Sequence, residues 1–224
     1  MKLTGFKRIY LSIILLLPLF SAGQVDDMGL WLGLSIEKKA TRDLTVSLGE
    51  QIRFNHDVTS VDVLLSDIGF EYEFSKKLKA AFHYRFINSN QDTYYSKRHR
   101  VYIDVSYKEK FSILTLTLRE RLQEQFNDIY SSETGKIPLW ISRSKLTAKF
   151  DVNKKYTPYI SGEVYYIIDN AKETDQIFSR FRYELGFNYK FNRISSLNPF
   201  LLYQHSLVSN FNELVYGITY TYSF

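Results

Sequence analysis

The chain contains no cysteine. That absence excludes a disulfide scaffold and a lipid-modified N-terminal cysteine, so its 224 residues must be held by packing or by closure of a sheet. Beyond residue 20 no apolar run approaches the ~20 residues that a spanning helix needs. A membrane location would therefore have to be reached by strands. Glycine-rich phosphate loops, a nucleophile elbow and cofactor motifs are all missing. The body of the chain also lacks an excess of one charge. Without Lys2, Lys7 and Arg8 the 29 Lys and Arg become 26, against 24 Asp and Glu. That balance leaves no footprint for nucleic acid.

Aromatic residues, by contrast, are abundant, with 18 Tyr and 17 Phe. The opening stretch MKLTGFKRIYLSIILLLPLFSAGQ sets three cations before an apolar run over 9–20, followed by Ser21, Ala22 and Gly23. This is the pattern of a cleavable secretory signal, and its apolar part is too short to span a membrane. Residues 1–23 are expected to be a signal peptide cut near Gln24, leaving 24–224 as one domain outside the cytoplasm.

That domain reads as strands and turns throughout. Clear period-two faces run through Leu64, Ser66, Ile68, Phe70, Tyr72 and Phe74; Leu78, Ala80, Phe82, Tyr84 and Phe86; Val101, Ile103, Val105 and Tyr107; Leu114, Leu116 and Leu118; and Phe181, Tyr183, Leu185, Phe187, Tyr189 and Phe191. Weaker runs occupy 29–37, 44–54, 139–151, 157–168 and 199–207, and the terminal ELVYGITYTYSF makes eleven. Short basic turns (EKKATRD, SKKLK, YKEKF, VNKKYTP) alternate with longer polar loops (NHDVTS, NSNQDTYYSKRH, NDIYSSETGKIP, DNAKETDQ). A barrel with short turns at one end and long loops at the other has this asymmetry, whereas a sandwich has loops of mixed length at both. Opposite the greasy faces lie charges of both signs, which a barrel would turn into its lumen. Aromatics beside the short turns, Tyr72, Tyr107, Tyr156, Tyr189, Tyr220, Tyr222 and Phe224, would form one interfacial girdle, and Phe54, Phe86, Trp140 and Phe178 the other. The expected fold is all-β, a single antiparallel transmembrane β-barrel of about 10–12 strands.

Two features fit badly. Bacterial single-chain barrels normally have an even number of strands, so 29–37 is the first run to suspect, or a long run hides a break. Glu50 and Glu120 fall on the lipid face of their strands, where a charge is costly. A β-bulge shifting the register is a sufficient explanation.

The signal, the alternating strands and the terminal YTYSF resemble the outer-membrane β-barrels of Gram-negative bacteria. In that class a C-terminal aromatic residue belongs to the signal read by the barrel-assembly machinery, a role the resemblance gives to Phe224 with Tyr220 and Tyr222. TPYISGEVYY (157–166) and SRFRYELGFNYKF (179–191) resemble the family of domain-of-unknown-function 2490, over roughly residues 24–224. The resemblance implies outer-membrane lipid and the assembly machinery as partners and supplies no activity.

Function is therefore read from residues. Arg119, Arg121, Arg143, Arg180 and Arg182 are expected to share one luminal zone with Glu163 and Glu184, either as a paired polar interior or as an anion-preferring constriction. Ten to twelve strands give a lumen much narrower than that of a 16–18-stranded porin. A structural, binding or narrow-channel role is the reading this supports. The alternatives are a lipid hydrolase or acyltransferase on the barrel wall and a secreted lipocalin-like carrier. For the first, His205 with Ser206 and Ser209, or His99 with Ser96, are weak catalytic candidates without an assignable third residue. His56 with Asp57 and His99 with Asp92 have metal-ligand atoms but no ligand-set spacing. No metal, cofactor or nucleic acid is expected, and the chain is expected to be a monomer.

Overall fold

The computed structural model describes residues 25–91, 93–127, 138–168 and 178–224. The signal segment with its cut near Gln24, and Asp92, lie outside the described residues. Eleven strands form: β1 (Asp27–Lys39), β2 (Leu44–Asn55), β3 (Ser60–Glu73), β4 (Leu78–Asn90), β5 (Tyr95–Phe111), β6 (Leu114–Asn127), β7 (Leu139–Phe150), β8 (Tyr156–Ile167), β9 (Phe178–Lys190), β10 (Ser195–Ser206) and β11 (Phe211–Ser223). They close into one barrel in sequence order. Successive strands pair antiparallel, and β1 closes onto β11 in parallel, from Asp27 beside Glu213 to Glu37 beside Ser223.

This corrects the suspicion raised by the odd count. Residues 29–37 lie within β1, and none of the runs is spurious. An odd number closes because its first and last strands point the same way. Eleven strands remain within the expected range, although the closing pair is not antiparallel.

Alternation sets the two faces. On β11, Tyr216, Ile218, Tyr220 and Tyr222 are exposed outward, while Val215 and Gly217 are buried inward. Apart from turn and rim residues, the exposed large side chains are the outward series of the strands, from Leu32, Leu34 and Ile36 on β1 to Leu185 and Phe187 on β9. Aromatic bands mark both ends. Tyr72 meets Phe74, Tyr156 meets Tyr189, and Tyr222 meets Phe224 beside the short turns. Phe86, His99 and Phe126 cluster outside near the other end, His99 stacked on Phe126, and Tyr166 meets Phe178 edge to face.

The short turns have a local cause. Thr41, Ser75, Asn153 and Asn192 each accept two backbone N–H groups from residues two and three positions later, satisfying donors the turn would otherwise strand. At this rim Lys77 donates to Glu109 at 2.8 Å, which raises the pKa of its ammonium. Lys110 likewise donates to Asp151 at 2.5 Å and lowers that of the carboxyl. At the opposite end two connections are shorter than expected. NHDVTS contracts to the turn 56–59, and NSNQDTYYSKRH is mostly strand, leaving 91–94 between β4 and β5. His56, Asp57 and Val58 have φ of 49, 54 and 68°, a left-handed path unusual for side-chain-bearing residues. Asp27 holds it by accepting the N–H groups of His56 and Asp57.

Two register shifts interrupt the otherwise regular pairing. One lies where Arg53 and Phe54 of β2 face β3, leaving Asp62 as the extra residue, and the other where Tyr165 and Tyr166 of β8 face β9, leaving Ser179 extra. Neither moves Glu50 or Glu120. Both stay exposed on the outer face at mid-strand, Glu50 accepting from Ser66 at 2.9 Å and Glu120 from Ser144 at 2.6 Å. A bulge therefore does not account for them.

Inside the closing seam, Trp31, Leu202 and Val215 form an apolar cluster with Phe200 against it. Gly217 is required there, because a Cβ would occupy the space of the Phe200 ring.

Candidate functional site

The lumen sorts its charges by height. At mid-barrel lies a belt of paired groups. Arg121 and Arg143 face each other directly across β6 and β7, a like-charge contact relieved because each turns to a carboxylate on its other side. Arg121 grips Asp104 with two bonds of 2.6 and 2.7 Å, and Arg143 grips Glu163 at 2.8 and 2.9 Å. Arg119 bonds Glu163 as well, so one carboxylate serves two guanidinium groups. The faces of Tyr102 and Tyr165 cover Arg121 and Arg143 at 3.7 and 4.3 Å. Beside the belt, Asp67 accepts from His83, Arg85 and Tyr102 at 2.8, 2.8 and 2.7 Å.

Toward the long-loop end the pairing stops. A chamber of about 410 Å³ opens there, with Arg53, Arg98, Arg100, Arg180 and Arg182 in its wall. Among the described residues none of these five has a carboxylate within 4 Å. Glutamine amides hold three of them instead. Arg53 donates to Gln51 at 2.8 Å and lies 3.8 Å over Trp31, Arg100 donates to Gln125, and Arg182 donates to Gln204 at 2.9 Å. Asp62 and Glu213 are the acids in the wall, and Glu213 accepts from Gln204. The extra residues of both register shifts, Asp62 and Ser179, line this chamber, so the bulges re-aim side chains at its rim.

The expected single zone is thus divided. Arg119, Arg121, Arg143 and Glu163 meet in the belt, whereas Arg180 and Arg182 belong to the chamber. Glu184 lies toward the short turns, accepting from Lys145 at 3.1 Å and Tyr159 at 2.6 Å. Sequence reasoning missed Asp104 as a belt partner and Trp31, Tyr102 and Tyr165 as inward aromatics. The available signal was parity, since Tyr102 shares a face with Arg100 and Asp104, and Tyr165 with Glu163.

The catalytic candidates are separated by the same parity. His205 faces outward with its ring nitrogen 2.8 Å from Asn212, whereas Ser206 lies on the opposite parity and its hydroxyl accepts from Ser209 at 2.8 Å. His99 also faces outward, against the Tyr84 hydroxyl at 2.7 Å, with Ser96 on the other face. A histidine does approach a serine at His56 and Ser60, 3.2 Å apart, but that hydroxyl donates to Asn55 at 2.7 Å and is not presented to the imidazole as an activated nucleophile. Among the described residues no three metal-ligating side chains gather. The backbone of Phe224 completes the closing seam, its N–H donating to Glu37 and its carbonyl accepting from Lys39. Tyr220 and Tyr222 stand outward on the same strand.

A family model described as "Protein of unknown function (DUF2490)" matches residues 28–215. No curated protein matches the chain in sequence. Among solved structures, the NanC porin is 10% identical with a TM-score of 0.52, over 79% of this chain and 85% of that one. LpxR from Salmonella typhimurium is 6% identical with a TM-score of 0.53, over 82% and 84%. At such identity the likeness is one of fold, and the fold is that of the outer-membrane β-barrels.

Proposed function

The chain belongs to the DUF2490 family, and from that premise we propose that it is an outer-membrane barrel whose long-loop chamber collects small anions and passes them slowly through a narrow lumen. One observation carries this reading: five luminal arginines without a carboxylate within 4 Å among the described residues line one chamber above a belt of paired charges. Like charges confined by low-dielectric walls focus their field on the space between them and raise the local concentration of the opposite ion. Rings of Arg and Lys are how pores prefer anions. The belt keeps the flux small, because its guanidinium groups are already held by Asp104 and Glu163.

The test is reversal potential across a planar bilayer in a potassium chloride gradient, using full-length barrel purified from the outer-membrane fraction. A small conductance with chloride preferred over potassium is expected, and Arg53→Gln with Arg100→Gln is expected to reduce that preference. Cation preference, or a large nonselective conductance, would overturn the reading.

A further inference from the structure

The chamber is not uniformly polar. Beside its arginines it is also lined by Leu65 and Ile87, a directly paired couple on β3 and β4 that is 5% and 4% exposed, with Ile87 next to Arg98 of β5, and by Ile141 of β7. An apolar wall is unfavourable for a lumen that handles hydrated inorganic ions alone, since water in contact with it is poorly satisfied. It suits a solute that carries apolar surface of its own.

A second observation comes from Tyr165. Its side chain lines the chamber, it is 6% exposed, and its hydroxyl is buried with no hydrogen-bond partner among the described residues. Buried hydroxyls are rarely left in this state, because a hydroxyl taken out of water without a partner loses its hydrogen bond outright. The groups around it are cationic: Arg182 and Arg180 lie 5.0 and 5.6 Å from its ring centre. Arg182 spends its Nε on Gln204, but a guanidinium placed over a ring still directs its remaining N–H groups in plane, where they can meet the oxygens of a carboxylate or phosphate.

We propose that the chamber is a binding site for an amphipathic organic oxyanion, whose carboxylate or phosphate is seated by Arg180, Arg182 and the Tyr165 hydroxyl and whose apolar body rests on Leu65, Ile87 and Ile141. The volume of about 410 Å³ falls in the range of small-molecule pockets, roughly 300–1,000 Å³. The inference rests on the anion reading above and deepens it from ion class to ligand class.

Calorimetry on the purified full-length barrel tests it without requiring conduction. The probes are phenylacetate and phenyl phosphate, compared with acetate, inorganic phosphate and neutral benzyl alcohol. Phenylacetate or phenyl phosphate is expected to bind at least about tenfold more tightly than its small counterpart, as burial of a ring implies, and benzyl alcohol not to bind. Whichever of the two binds more tightly identifies the head group. Tyr165→Phe removes one hydrogen bond to a charged group and is expected to weaken that binding about tenfold. Ile141→Asn is expected to bring phenylacetate down to the level of acetate. Equal binding of phenylacetate and acetate in the wild type, or binding unchanged in both variants, would overturn the inference. In that case retained chloride preference leaves the channel reading standing, and lost preference removes both.

Discussion

The belt and the chamber use the same side chain to opposite ends. Arg121 and Arg143 in the belt are buried, bidentate and matched by Asp104 and Glu163. Arg53, Arg100 and Arg182, in the chamber, are held in place by Gln51, Gln125 and Gln204, which orient a guanidinium without neutralising it. A carboxylate partner makes arginine a structural element, whereas an amide partner leaves its charge available. The difference predicts how each region responds to the loss of one group.

The largest effect is expected in the belt. Glu163 is 5% exposed and serves Arg119 and Arg143 together, so Glu163→Gln leaves Arg143 without a carboxylate among the described residues and Arg119 with only Asp104, at 4.0 Å, in a confined space. Removing one partner of a buried pair costs about 3–5 kcal/mol. Denaturant unfolding in bilayers should show a loss of that order, or anion conductance should rise as the freed guanidinium groups turn to the pore. If stability and conductance both stay unchanged, the belt is no more closed than the chamber, and the contrast between them fails.

Next in size is the contrast between lumen and outer face. Leu185→Arg places a cation outward at mid-strand, at an expected cost of about 2–4 kcal/mol, while Thr117→Arg points into the lumen and should cost much less. Gly186 is a poor inward control, although its parity is right. A Cβ there would lie 2.7 Å from the Tyr159 hydroxyl and 2.8 Å from the Pro199 carbonyl, so any side chain is strained before its charge matters. Equal losses for Leu185→Arg and Thr117→Arg would show that the two faces are not lipid and lumen.

The two faces were legible in the sequence because alternation needs nothing beyond parity. What parity cannot supply is height. Arg182 sits directly opposite Glu163 across β8 and β9, so pairing them is the natural reading, yet Arg182 turns to Gln204 and leaves Glu163 to Arg143 and Arg119. The stagger of tilted strands decides which inward residues share a level, and stagger is a property of closure. The parallel seam was hidden for the same reason, since no local pattern in 27–39 says which strand lies beyond it. The bulges at Asp62 and Ser179 leave no clear mark in composition, and they shape the chamber rim.

A third setting for charge sharpens the comparison at smaller scale. Glu50 and Glu120 face outward, each supported by one serine hydroxyl. Carboxylates on the lipid face cost less than the roughly 2–4 kcal/mol of a cation. Glu50→Leu and Glu120→Leu are each expected to stabilise the barrel by about 1 kcal/mol in denaturant unfolding. A loss of stability would mean that these carboxylates contribute outward contacts that offset their exposure to lipid.

The smallest effect on stability is expected in the chamber, and it is the sharpest test of the comparison. Arg180 has no carboxylate within 4 Å among the described residues and shares the chamber wall with five other arginines, Arg53, Arg85, Arg98, Arg100 and Arg182, against two acids, Asp62 and Glu213, so its charge is opposed there more than it is supported. Arg180→Gln removes a like charge from a crowded wall and keeps a polar head on the same parity. Unfolding should shift by no more than about 0.5 kcal/mol, the range of substitutions that break no specific partner. Chloride preference should nevertheless fall measurably, because each fixed cation contributes to the field that concentrates anions in the chamber. A destabilisation comparable to that of Glu163→Gln would mean that Arg180 is paired after all, and that the chamber is a second belt.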